Sequence, residues 1–142
     1  MTRVDFYVLE TPSAERHDRM LCRIVEKAWQ QGHTVYLCCD DAQMAQSFDS
    51  LLWQFQDTSF VPHVLGEQSD ADTRVMIGLD AGAVATPDVL VNLAAVVPAA
   101  ATRYTRVIES AGFDDTTRAA ARLRYRHYQD RGFPLNTVKV NS

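Results

Sequence analysis

Along the chain, near-continuous apolar runs alternate with segments whose apolar residues recur every three or four positions, a pattern that predicts strands separated by helices. Residues 4–9 read as a first strand. Thr11, Pro12 and Ser13 form a turn that can cap a helix over 14–31. In that helix Leu21, Ile24, Val25 and Ala28 make one apolar face, and Gly32 supplies the stop. Residues 34–39 contain Val35-Tyr36-Leu37-Cys38-Cys39, an unbroken run of the kind buried on both faces of a parallel sheet, so this strand should be central. Asp40 and Asp41 cap a second helix running to about Gln54, with Met44, Phe48, Leu51, Leu52 and Phe55 as apolar positions. Residues 74–79, 89–93 and 105–109 read as further strands, the last of them preceding a C-terminal helix. The polar or small segments 66–73 and 81–88 read as loops, and the alanine-rich 94–101, with Pro98, as a short helix.

This order of elements argues for an α/β fold: a single three-layer domain covering residues 1–142, with a mainly parallel central sheet and a Rossmann-like outline. The phosphate-binding loop of that outline is missing. The first strand runs into Glu10-Thr11-Pro12-Ser13, with neither a glycine-rich turn nor a lysine to cradle phosphate. A degenerate nucleotide-binding enzyme therefore stays open on outline alone, as one alternative.

Candidate catalytic groups are scattered. His17, His33, His63 and His127 fall in separate elements without metal-ligand spacing, and Cys22, Cys38 and Cys39 form no CxxC pair. Buried, reduced thiols fit the cysteines better than disulfides or a nucleophile. Asp40 with Asp41 could hold a metal at the carboxyl edge of the sheet, but helix capping accounts for the pair with less. No cofactor or metal is expected, and a binding module is favoured over an enzyme. With no apolar run long enough to span a bilayer and no signal-peptide pattern, a soluble cytoplasmic protein is expected.

Charge changes the picture. The net charge is −4, yet five of the fourteen Lys and Arg residues fall within residues 118–131, opposed only by Asp130. At about 100° per residue a helix there puts Arg118, Arg122, Tyr125 and Gln129 on one face, with Arg126 flanking. Guanidinium groups beside an aromatic ring suit an anionic partner with an apolar end. The competing reading is a solvated charged face on a terminal helix. Arg124-Tyr125-Arg126-His127-Tyr128 also resembles a base-stacking platform, leaving direct single-stranded nucleic-acid binding as a further alternative, against which the net negative charge argues. A second surface clue is Trp53 at a helix end and Phe60 in a proline-constrained loop. These are either interface anchors or rings that close the core over the sheet edge.

Three segments carry a resemblance that spans the chain. Phe6-Tyr7-Val8-Leu9, then Leu52-Trp53 followed by Ser59-Phe60-Val61-Pro62-His63, then Arg122-Leu123-Arg124-Tyr125-Arg126 leading to Gly132-Phe133-Pro134-Leu135-Asn136-Thr137, are similar to the chi accessory subunit of the bacterial DNA polymerase III clamp-loader complex. The resemblance implies a non-catalytic protein, nucleoid-associated at replication forks. It would bind the acidic, phenylalanine-ended tail of single-stranded DNA-binding protein and, on another surface, the psi subunit that tethers it to the clamp loader. Carried over by position, the principal tail-binding arginine falls on Arg122, with Arg118, Tyr125 and Arg126 beside it. The psi-binding aromatics, which in some members also engage a repair helicase, fall on Trp53 and Phe60. An apolar residue of the family's tail pocket falls on Ala111, a smaller wall.

Overall fold

The computed structural model describes residues 2–55 and 61–141. Seven strands form one parallel sheet: β1 (Arg3–Leu9), β2 (Val35–Cys38), β3 (His63–Leu65), β4 (Val75–Gly78), β5 (Val89–Asn92), β6 (Arg106–Ser110) and β7 (Leu135–Val140). Their spatial order is β3-β4-β2-β5-β6-β1-β7. The short, largely apolar strands β2, β4 and β5 are buried at every residue and lie inside the sheet, as strands covered on both faces must. β3 and β7 form the edges.

Helices cover both faces. α1 (Ala14–Gln30) and α2 (Ala42–Gln54) pack on one side, where Leu21, Val25, Phe48 and Leu52 meet Leu37, Ile77, Val91 and Ile108. On the other side α3 (Asp115–Asp130) and two 3-10 turns, Ala81–Ala83 and Ala99–Arg103, close over Phe6, Tyr36, Leu90 and Val107. This is the expected three-layer α/β arrangement with an all-parallel sheet. Ser13 caps α1, accepting from the Arg16 amide at 3.2 Å. At the other end Gly32, at φ 91°, lets its own amide reach the Trp29 carbonyl and that of His33 reach Ala28, so the last carbonyls of the helix are satisfied. Only Asp41 of the acidic pair caps α2. Asp40 instead accepts from the Ala95 amide at 3.0 Å, tying the ends of β2 and β5 together.

Three departures have local causes. β7 is an edge strand whose exposed positions break up any apolar run, so its Thr-Val-Lys-Val pattern reads poorly in sequence. β3 begins directly after Pro62 and has three residues only. Residues 94–97 form no helix, and the turn starts after Pro98 as the 3-10 segment Ala99–Arg103, since proline cannot donate within a helix interior.

Candidate functional site

The outer surface of α3 meets the β1/β7 end of the sheet at a recess of about 310 Å³. Its floor is Phe6 and Val8 of β1, Thr137 of β7 and Ala121; its rim is Arg118 and Arg122, with Tyr125 and Ala111 as walls. Register explains the floor. In a parallel pair, residues side by side share a face, and Phe6 lies opposite Thr137. Helical spacing explains the rim, because positions 118, 122 and 125 fall on one stripe. Arg118 and Arg122 are exposed, whereas Tyr125 is half-buried and packs edge-on against Phe6, ring centroids 5.1 Å apart. The recess therefore combines two solvent-exposed cations with an aromatic-lined apolar floor. Arg126, exposed one turn further on, is not among the lining residues.

The start of α3 is held firmly. Asp114 accepts from the Thr117 amide at 2.8 Å while the Thr117 hydroxyl accepts from the Asp114 amide, a reciprocal cap. The hydrogen bonds from the Thr117 side chain and backbone hold the Asp114 carboxyl below its ordinary range. Gly112, at φ 86°, brings the chain so close that a Cβ there would lie 2.7 Å from the Thr117 carbonyl carbon. Next to it the Phe113 ring packs at a tilt against His17, centroids 5.0 Å apart, and His17 Nε2 is 2.7 Å from the Ser110 hydroxyl, so the loop that carries Ala111 is pinned to α1.

What orients α3 is a buried ionic cluster that the sequence reading missed. Glu109 of β6 is wholly buried, and its carboxylate accepts from Arg124 Nε at 2.9 Å, Tyr128 OH at 2.7 Å and Asn92 Nδ2 at 2.9 Å. Arg124 also donates to the carbonyls of Ser110 and Ala95. Burial pushes the Glu109 carboxyl up, and Arg124, Asn92 and Tyr128 pull it back. Arg124 is thus a core residue, and the cationic surface of α3 has one member fewer than the sequence count suggests. The same burial, with that of Tyr128, removes two of the five residues that resembled a stacking platform, because neither side chain is available to a base.

Trp53 lies on α2 and is 46% exposed, so the reading in which it closes the core does not hold. Its ring packs against that of His63 with centroids 4.2 Å apart. His63 in turn is locked, its two ring nitrogens 2.7 Å from the Val61 carbonyl and 2.9 Å from that of Asp49. Val64 and Leu65, which follow on edge strand β3, are exposed, as is Leu79 after β4. The apolar pair Val64 and Leu65 was the available signal for this surface. Phe60 lies outside the described residues.

Catalytic chemistry finds little purchase. All three cysteines are buried and free, and burial pushes the Cys22 and Cys39 thiols up to about 12, and Cys38 up as well, away from reactive thiolate. Among the described residues no cluster of His, Cys, Asp and Glu could hold a metal ion. No described helix is long and apolar enough to cross a membrane.

Comparison with known proteins decides the family. Residues 1–136 match the family model described as DNA polymerase III chi subunit, HolC. The chain belongs to the DNA polymerase III chi subunit family. DNA polymerase III subunit chi of Pseudomonas aeruginosa is 38% identical over 140 residues, covering 99% of this chain and 98% of that protein. The Escherichia coli subunit chi is 30% identical over 144 residues, 97% of this chain and 98% of its own length. Among solved structures, the crystal structure of T4 UvsW superposes with a TM-score of 0.63 at 9% identity, over 99% of this chain and 42% of that one. At that identity the likeness concerns the α/β fold alone.

Proposed function

We propose that this chi-family protein is a non-catalytic replisome accessory subunit that binds the acidic C-terminal tail of single-stranded DNA-binding protein in the α3 recess and links it to the polymerase III clamp loader through psi. The observation that carries the reading is the recess itself: guanidinium groups of Arg118 and Arg122 stand at the rim of an apolar floor walled by Tyr125. A peptide ending in an aromatic residue has a terminal carboxylate and an apolar ring at one point, and needs both features side by side. Arg122 takes the carboxylate. The ring enters over Phe6 and Ala121, and the small Ala111 leaves that wall low. Arg118 and Arg126 attract the upstream aspartates, which affects encounter rate and salt sensitivity more than final affinity.

The division of labour is separable by experiment. Affinity for the tail peptide is expected to fall clearly between roughly 50 and 300 mM salt, as the exposed arginines are screened. Deleting the terminal phenylalanine is expected to weaken binding at every salt concentration. Binding that ignores salt would place the peptide on an apolar surface elsewhere.

Psi, or a repair helicase, docks on the opposite end of the sheet around Trp53, with Phe60 as the second aromatic of that reading. Exposure of Trp53 over the rigid His63 and of Val64 and Leu65 on an edge strand supports it. Trp53→Ala is expected to cost about 2 kcal/mol or more in psi binding while leaving tail affinity unchanged, since the two surfaces share no residue. Surface titrations with psi and with the tail peptide check this. Equal losses for both ligands would merge the two sites and sink the assignment.

A further inference from the structure

A second cleft among the described residues is larger than the tail recess. It lies on the other face of the sheet, between α1 and the β6-β1-β7 strands, with a volume of about 820 Å³. Helix α1 contributes Arg16, Arg19, Arg23 and Lys27 to it, and the strands contribute Arg3 and Arg106. Glu15 is the only acidic residue in its lining.

Only the two strand cations have an ion-pair partner among the described residues. Asp5, buried beneath, takes Arg106 at 2.7 Å and Arg3 at 3.6 Å, and Arg106 also donates to the Tyr7 hydroxyl at 2.8 Å. The four helix cations have no ion-pair partner among the described residues; Arg16 donates only to the Thr11 carbonyl. All four are exposed. Steps of three or four residues stack them on one face, where like charges repel and weaken the helix. A protein of net charge −4 that concentrates such a row has a local reason for it that stability does not supply.

The row has a definite geometry. At 1.5 Å per residue, successive cations are about 4.5 to 6 Å apart along the axis and the whole row is about 16 Å long. Running beside it are the Tyr7 ring and the apolar side chains of Ile24 and Val140. A charged track parallel to an aromatic and apolar strip is the arrangement that holds single-stranded nucleic acid, with phosphates on the cations and bases on the strip. An extended acidic peptide is served less well. It has main-chain N–H and C=O groups to satisfy, while β1 and β6 are paired on both edges, the one free edge of β7 lies in the plane of the sheet and not on the face the cleft opens over, and the α1 backbone is bonded within the helix. We infer that this cleft binds the sugar-phosphate backbone of a single-stranded nucleic acid along Arg16, Arg19, Arg23 and Lys27, with bases against Tyr7, Ile24 and Val140. The site is independent of the tail recess, which uses the opposite face of β1 and β7.

Fluorescence anisotropy of the full chain with a labelled oligothymidylate of about 15 nucleotides, within the span of known single-strand grooves, tests it. Four phosphate contacts predict a slope of log affinity against log salt of about −2.8, which is a loss of roughly 50-fold between 50 and 200 mM salt. Arg19→Glu with Arg23→Glu is expected to abolish binding. Arg23→Ala and Lys27→Ala, milder changes at exposed positions, are each expected to flatten the slope by about 0.7. Arg122→Ala is expected to leave oligonucleotide binding unchanged. The proposal is overturned if the parent does not bind the oligonucleotide at about 50 mM salt, if the alanine variants keep the parental slope, or if Arg122→Ala abolishes binding. It is equally overturned if polyglutamate of matching length competes as well as unlabelled oligonucleotide, since the cleft would then be a reader of acidic peptides.

Discussion

Arg124→Ala is expected to destabilise the protein by about 3 to 5 kcal/mol, the range found when one partner of a buried ion pair is removed. The reason is specific to Glu109, which is fully buried and would keep only Asn92 and Tyr128 as donors. Two main-chain carbonyls, of Ser110 and Ala95, would lose their guanidinium donor at the same time. Chemical denaturation monitored by circular dichroism measures the loss.

The pH dependence of that loss identifies its cause. Burial already pushes the Glu109 carboxyl up, and Arg124 is the strongest influence pulling it down. Without Arg124 the folded-state value rises further above the unfolded one, so the folded state binds the extra proton and gains stability as pH falls. The difference between variant and parent is therefore expected to shrink from about pH 7 to about pH 5. Pairing Arg124→Ala with Glu109→Leu is expected to recover part of the stability, because no uncompensated charge is left behind. A deficit that is independent of pH and not relieved by the second change would mean that Arg124 acts through packing alone. Because Arg124 faces the core about a third of a turn from the recess stripe, this cluster also sets how Arg122 and Tyr125 are presented.

How far the sequence discloses this molecule depends on where each residue's signal originates. The unbroken Val35-Tyr36-Leu37-Cys38 run announces an interior parallel strand because burial on both faces leaves it no polar position, whereas the 89–93 segment reads as a strand but hides that its Asn92 is buried as a donor to Glu109. The α1 and α2 caps are equally plain, since Ser13 and Asp41 act within three residues of themselves. Edge strands lack that constraint, and both β3 and β7 went unseen. The stripe of Arg118, Arg122 and Tyr125 was legible because helical period alone brings those residues together. Its apolar floor was not, because Phe6 and Thr137 become neighbours only through the pairing of β1 with β7, far apart in sequence. The same limit hid the role of Arg124: its partner Glu109 lies on another element, and one Arg among five in a charged stretch carries no mark of burial. Nor could the α1 cations be read as a site before the sheet supplied Tyr7, Arg106 and Val140 as the opposite wall.

Recognition in the α3 recess is expected to hinge on Arg122. A carboxylate held by a guanidinium that the bound ring desolvates is a contact whose truncation costs about 2 to 5 kcal/mol, enough to weaken a roughly micromolar complex to about 30 μM or beyond. Arg122 is exposed and makes none of the hydrogen bonds that anchor α3, so the variant is expected to unfold at the parental temperature. Arg118→Ala and Arg126→Ala are expected to act more weakly and mainly at low salt.

Tail recognition by the recess is decided by calorimetric titration of an acidic, phenylalanine-ended tail peptide of single-stranded DNA-binding protein into the parent and into Arg122→Ala. Saturable heat with the parent and binding weaker by about 30-fold or more with the folded variant is the predicted result. Equal affinity for both would contradict the assignment of the recess.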